Sequence, residues 1–342
     1  MLKFVGDVNL TDWDFNFGFG IGSRLRQGFD PLSNITREKS DVWVGNFEGV
    51  ASKVTEKRGM ASKIFRVDPD SLSMTNNLDI YGFANNHAMQ HGAEAYLQTW
   101  DTLRSLGRTV FGKNDNRSVV INNQGKIVSL TGCCFRIDEF ADSPSYWYNP
   151  ENMEIKDEVS ILPQEAFKVF FVHWGNEYIN RPSTQQKRFA HWLIDAGFDL
   201  IIGMHPHVMQ GYEDYKDKRI YYSLGNFVFD MAWEPCRYGA IVSVDLSGVS
   251  PVYKEEYIYI DDSCSPCILP VNRIPEKYHF EFLNKQLAID DNSEQYHDEI
   301  KKQYKLYSKA NRKKIVRDML RHPSFGVSVL GDYIKRRLVH YK

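Results

Sequence analysis

No stretch of this 342-residue chain approaches the roughly 18–20 consecutive apolar residues of a membrane-spanning helix, so a helical span is not expected. Cysteine is scarce and odd in number, and five in a chain of this length argue against a disulfide framework. Cys264-Ser265-Pro266-Cys267 is a lone CxxC with no second pair, a weak signal for zinc or redox chemistry, and Cys133-Cys134 reads as buried thiol. Internal repeats and low-complexity segments are absent. No apolar leader precedes Met1-Leu2-Lys3-Phe4-Val5, which enters a strand at once, so a cytoplasmic location is expected. Net charge is nearly lacking too, at −2, but the balance is uneven. Residues 301–342 hold 13 Lys and Arg against 2 acidic residues, a net of +11, leaving −13 for residues 1–300. Tail and body should therefore have different partners or attract each other. Nucleic acid is not among the expected partners.

What the chain does have is a recurring pattern: short apolar runs that end in polar residues able to bind a metal. Phe4-Val5 leads into Gly6-Asp7-Val8-Asn9, Val42-Trp43-Val44 into Gly45-Asn46-Phe47-Glu48, and Ile80-Tyr81-Gly82-Phe83 into Ala84-Asn85-Asn86-His87. Val169-Phe170-Phe171-Val172 leads into His173, and Leu200-Ile201-Ile202-Gly203 into Met204-His205-Pro206-His207. Such runs read as strands buried on both faces, and ligands gather beyond the carboxyl ends of such strands.

Strand-like segments near 2–6, 41–45, 79–84, 168–173, 199–203 and 219–224 alternate with helix-like ones at 92–106 and 183–196, which implies an α/β core. Residues 118–134 read as an antiparallel hairpin, and a second antiparallel set is expected from 219–222, 239–246 and 253–260. This pattern suggests one mixed sheet, or two sheets packed face to face. The expected organisation is a main domain over 1–260, a linker over 261–275 and a basic helical extension over 276–342. Within the extension, 312–321 and 333–340 are helix-compatible. They would lie on an anionic membrane or polymer, or dock by the apolar residues Ile315, Met319 and Leu320.

Asp7 and Glu48 are the natural carboxylate ligands of a metal site, with Asn86, His173, His205 and His207 filling the remaining positions. Imidazole, carboxylate and amide oxygen suit two divalent ions of the Mn, Fe, Zn or Mg type better than a thiolate site would. Two such ions, roughly 3.5–4 Å apart, clamp the attacking and leaving oxygens of a displacement at phosphorus. His87, beside the amide ligand, would protonate the leaving alkoxide. Each residue alone has a plainer role: Asp7 as a helix cap, Glu48 as a surface carboxylate, His173 as a core histidine. His205 and His207 carry more weight as a pair, since i and i+2 in extended chain face one side and Pro206 fixes the backbone between them. Asn9, Arg66 and Asn226 are candidate substrate-binding residues, Arg66 because a guanidinium fork suits phosphate or carboxylate. Asn226 would alternatively order the site from behind or serve a turn.

These motifs, in this order, resemble the CapA-type proteins of poly-γ-glutamate capsule synthesis. The resemblance rests on Gly6-Asp7-Val8, Gly45-Asn46-Phe47-Glu48-Gly49, Ala84-Asn85-Asn86-His87-Ala88, His173-Trp174-Gly175-Asn176-Glu177-Tyr178, His205-Pro206-His207-Val208 and Tyr222-Ser223-Leu224-Gly225-Asn226-Phe227. It covers roughly residues 1–250 and implies a fold similar to calcineurin-like metallophosphoesterases, two packed mixed sheets flanked by helices, with a two-metal site at one sheet edge. By the same resemblance Asn86 ligates a metal, His87 assists the leaving group, and His205 and His207 form the His-x-His pair. Three departures stand out. Asn9 replaces an imidazole of the superfamily's Asp-x-His, Glu48 stands where the wider superfamily has Asp, and Gln90-His91 replaces an Asp three residues after the Asn-His pair. The expected function is metal-dependent hydrolysis of a phosphorylated or anionic envelope intermediate. The alternatives are handling of poly-γ-glutamate, by amide hydrolysis or without turnover, and a non-catalytic assembly subunit.

Overall fold

A computed structural model of the chain describes residues 1–12, 19–54, 65–74, 78–136, 147, 152–289 and 293–327. Two mixed sheets, one of eight strands and one of six, hold the core between flanking helices. In the first sheet the Leu2–Val8 strand is central. It runs parallel to Val42–Phe47 and antiparallel to Tyr238–Asp245. Ile80–Gly82 and Thr109–Phe111 extend the parallel half, Val252–Ile260 and Pro266–Leu269 the antiparallel half. In the second sheet Lys126–Cys134, Phe167–His173, Leu200–Met204 and Lys218–Tyr221 are parallel. Hairpin partners close its edges, Ser118–Asn123 and Tyr212–Tyr215.

Alternation along each strand decides which layer a side chain joins. Leu2 and Phe4 point into the space between the sheets and meet Val169, Phe171, Leu200 and Ile202 from the other side. The Phe171 ring lies 6.3 Å from Phe4 and 5.7 Å from Phe111. Val5, Trp43 and Tyr81 point outward, into the apolar layer that also holds Tyr96, Trp100 and Leu103 of the Gly92–Ser105 helix. Phe170, Val172 and Ile201 cover the far face of the second sheet with Ala190, Leu193 and Ile194 of the Thr184–Ala196 helix. Burial on both faces is why these strands read as continuous apolar runs. The latter helix starts on a capping box between Ser183 and Gln186 and stops at Gly197, in left-handed conformation at φ 116°.

Two expectations change, and for the C-terminal helix the docked alternative is the one found. Residues 218–221 do not join the 238–260 strands; they pair with Leu200–Met204 in the other sheet, because the Tyr212–Tyr215 hairpin folds them there. Residues 261–275 are not a linker, since Pro266–Leu269 pairs with Val252–Ile260 as the edge strand of the first sheet. The Ser293–Arg321 helix is docked on the body. Tyr296, Tyr307 and, just past the helix, Phe325 are buried, and ion pairs join Arg181 to Glu299 and Lys314 to Asp230. Ile315 and Met319 turn partly inward while Leu320 stays exposed. Residues 333–340 lie outside the described residues.

Candidate metal centre

The parallel halves of the two sheets bring their strand ends to one edge. Asp7 sits in register with Asn46 on one neighbouring strand and Asn226 on the other, while His173 is level with Met204. The approach of the Asn226–Val228 strand demands a glycine before Asp7. A Cβ on Gly6 would lie 1.8 Å from the Gly225 carbonyl oxygen, the same oxygen that accepts from the Asp7 backbone N–H at 3.1 Å. Past Glu48 the chain turns at Gly49, whose φ of +145° favours glycine. The Glu48 N–H bonds to the Val8 carbonyl at 2.9 Å, which fixes this carboxylate beside Asp7.

Asp7, Glu48 and His207 each offer a ligand atom, and these atoms lie within 4.8 Å of one another, all buried. His207 Nδ1 is 3.6 Å from Asp7 Oδ2, and its Nε2 is 3.7 Å from Glu48 Oε1. Asn226 Oδ1 accepts from His207 Nδ1 at 3.0 Å, a bond that leaves the Nε2 lone pair facing Glu48. His173 Nδ1 lies 4.0 Å from Asp7 Oδ1, and its Nε2 is 2.8 Å from Asn86 Oδ1. The His205 ring stands 4.5 Å from that of His173, and its backbone N–H donates to Asp7 Oδ2 at 3.2 Å.

Burial pushes the Asp7 carboxyl up, opposed by the His207 charge and the Asn46 hydrogen bond. It holds the His173 imidazole well below its usual range, helped by the neighbouring His205 and His207. Carboxylates beside imidazoles in a buried pocket suit a divalent cation, whose charge would stabilise the ionised acids. The residues therefore fit the ions expected from the sequence.

Backbone strain gathers here as well. Phe65, Tyr178, His205 and His207 all have positive φ, at 30°, 69°, 99° and 58°. Such conformations in non-glycine residues cost about 1–3 kcal/mol each and cluster at functional sites. An aromatic cover packs around the centre. Phe65 meets His87 edge-on at 4.3 Å, Phe229 meets His207 at 4.9 Å, and Tyr178 stacks on His207 at 6.2 Å. Tyr178 is backed in turn by Tyr307 of the docked helix, stacked at 4.1 Å.

The sequence-derived candidates separate by position. Asp7, Glu48, Asn86, His87, His173, His205 and His207 are all buried together at this edge. The two histidines flanking Pro206 do so in left-handed rather than extended backbone, with rings 6.0 Å apart and His205 turned toward His173. His87 places Nε2 3.6 Å from Glu48 Oε1 and Nδ1 3.2 Å from Gln90 Oε1. Asn9, Arg66 and Asn226, the candidate substrate-binding residues, take three different places. Asn9 Oδ1 accepts from the Thr11 backbone at 3.0 Å and the Thr11 hydroxyl at 2.6 Å, and its buried Nδ2 has no hydrogen-bond partner among the described residues. Arg66 donates to the Ser52 carbonyl at 2.7 Å and ties the short Val50–Ala51 and Arg66–Val67 strands. Asn226 is fully buried behind His207 and donates to the Cys236 carbonyl at 2.9 Å, so it orders the centre from behind. Asn46 was not foreseen. Its amide donates to Asp7 Oδ1 at 2.8 Å and lies 3.3 Å from His173 Nδ1. Its place two residues before Glu48, on the same side of the strand end, was the available signal.

The family described as bacterial capsule synthesis protein PGA_cap matches residues 1–231. Curated relatives include the capsule biosynthesis protein CapA of Bacillus anthracis, 31% identical over 49% of this chain and 44% of that protein. The PGA biosynthesis protein CapA of Bacillus subtilis (strain 168) is 30% identical over 60% of this chain and 58% of that protein. The chain thus spans about half the length of the curated relatives it matches. Among solved structures, a hypothetical protein from Thermus thermophilus gives a TM-score of 0.45 at 12% identity, covering 75% of this chain and 98% of that one. A 5'-nucleotidase from Candida albicans gives 0.44 at 13% identity, over 92% and 57%. With two thirds of its length matched, and the matched segment supplying each strand end of the candidate metal centre, the chain belongs to the bacterial capsule synthesis protein PGA_cap family.

Proposed function

We propose that this chain is a metal-dependent hydrolase of the phosphoesterase type, acting on a phosphorylated, anionic intermediate of capsule or cell-envelope polymer synthesis. The observation that carries the reading is the buried trio Asp7, Glu48 and His207, with ligand atoms within 4.8 Å of one another. Asn86, His173 and His205 complete a donor set for two divalent ions, Mn, Fe, Zn or Mg. When bound, such ions supply Lewis acidity toward a phosphoryl oxygen. The protein's own groups do the rest. Gln90 Oε1 accepts a hydrogen bond from His87 Nδ1–H, so the proton available to a leaving oxygen would be one carried on Nε2. The Nδ2 group of Asn9, buried and without a partner among the described residues, is available to donate to a substrate oxygen. Asn46 and Asn226 hold Asp7 and His207 in place.

Among the described residues no helix is long and apolar enough to cross a membrane. The exposed face of the Ser293–Arg321 helix carries Lys302, Lys305, Lys309, Arg312 and Lys313. We assign it to peripheral contact with an anionic envelope surface from the cytoplasmic side, tested by salt-dependent sedimentation with anionic vesicles. The hydrolase reading is tested by phosphate release from a panel of phosphomonoesters and diesters with manganese-loaded protein. Release that disappears in Asp7→Ala supports it. No release above background from any ester favours an assembly subunit instead.

A further inference from the structure

A cleft of about 340 Å³ opens beside the metal centre. Val208 and Met209, which follow His207 directly, form part of it, and the Tyr178 ring stacked on His207 is the wall it shares with the centre. Trp233 meets Tyr178 edge-on, with centroids 5.8 Å apart and planes at 86°, so the two rings make an aromatic corner. The docked helix closes another side through Gln303. Asn180 and Gln303 bring amide groups that both donate and accept.

The charges lining the cleft cancel. Lys277, the one cation among its described lining residues, sits 3.3 Å from the Glu234 carboxylate, which also accepts from the Tyr278 hydroxyl at 2.6 Å. A carboxylate-bearing chain or a second phosphate would meet Glu234 with no spare cation to offset it. A hydrocarbon chain would leave the amides of Asn180 and Gln303 without hydrogen bonds. A neutral ring with apolar faces and hydroxyl edges satisfies both the aromatic corner and the amide rim.

We propose that this cleft binds a neutral carbohydrate ring, with Trp233 as its stacking platform and Asn180 and Gln303 as its hydroxyl partners. Tyr178 stands between this ring and His207, so the cleft flanks the candidate metal centre rather than opening onto its ligands. The assignment goes beyond the proposed hydrolase activity and does not depend on it. Tyr178, Asn180, Val208 and Met209 lie within the family-matched residues 1–231, whereas Trp233 and Gln303 lie beyond them.

The test is direct binding to the full chain, without turnover. Glucose, N-acetylglucosamine and triglutamate are titrated against wild type, Trp233→Ala and Gln303→Ala, read by tryptophan fluorescence and by saturation-transfer NMR. At least one sugar should bind wild type, weaken about tenfold in Trp233→Ala as a stacking contact is lost, and weaken in Gln303→Ala while that variant melts like wild type. Sugar binding with no phosphate release from any ester of the phosphomonoester and diester panel would keep the cleft assignment and remove the hydrolase reading. Binding of triglutamate in place of the sugars, no sugar signal at all, or sugar binding indifferent to both substitutions would overturn the proposal.

Discussion

Replacing Asn226 by Ala should weaken metal binding although this residue touches no ion in our account. Its carbonyl accepts from His207 Nδ1 at 3.0 Å, and its amide donates to the Cys236 carbonyl at 2.9 Å, all in fully buried surroundings. Without the carbonyl, the His207 ring loses the bond that fixes its tautomer and aims Nε2 at Glu48. Loss of such an orienting partner costs roughly 10–100-fold in metal affinity, or about 1.4–2.7 kcal/mol. Loss of the amide leaves the Cys236 carbonyl unsatisfied, at about 1–3 kcal/mol of folding stability. The two effects separate experimentally. Calorimetric titration of manganese into chelator-stripped protein reads the first, and urea denaturation of the same metal-free sample reads the second. A variant that loses stability yet binds manganese within twofold of wild type would show that Asn226 serves packing alone, and would withdraw the orientation assigned to His207.

If His87 hands on a proton rather than holding an ion, as proposed, His87→Asn should lower phosphoester turnover by roughly 10²–10⁴-fold with metal content nearly unchanged. Parallel loss of metal would make it a ligand instead. Tyr307→Ala removes a buried ring stacked on Tyr178 and should cost about 3–5 kcal/mol in urea melts. Stability within about 0.5 kcal/mol of wild type, the usual effect of a surface substitution, would mean the C-terminal helix is not docked as described. Metal-free protein should lose stability as pH falls below about 6.5, the ordinary histidine range. His173 is held well below that range when folded, so acid protonates it in the unfolded chain first, at about 1.4 kcal/mol per pH unit for one proton. A flat stability profile from about pH 7 to about pH 5, after correction for the carboxylates, would contradict its buried neutral state.

Much of the architecture was legible because burial on both faces forces apolar runs, and parallel strands deliver the residues after each run to one edge. Asp7, Glu48, Asn86, His173, His205 and His207 could be named on that ground alone. The backbone that aims the last two could not, since left-handed φ at His205 and His207 follows from the surrounding strands rather than from local preference. The segment 261–275 looked like a linker because Asp, Ser and Pro accumulate there. Those residues instead form a turn in which Asp261 Oδ1 accepts from the Ser263 and Ser265 N–H groups, both at 2.9 Å. Pro266 then opens an edge strand, a position where a missing N–H is tolerated. The aromatic cover of Phe65, Tyr178 and Phe229 was equally hidden, because its three members come from distant segments and meet only across the finished edge.

The central claim is that Asp7, Glu48 and His207, with Asn86, His173 and His205, hold divalent metal. Elemental analysis of protein reconstituted with manganese and freed of excess, wild type beside Asp7→Ala and His207→Ala, addresses it most directly. The account predicts close to two ions per wild-type chain and a clear loss in each variant, with the folded state of the variants confirmed by circular dichroism. A wild-type stoichiometry near zero, or variants that keep the wild-type content, would contradict it.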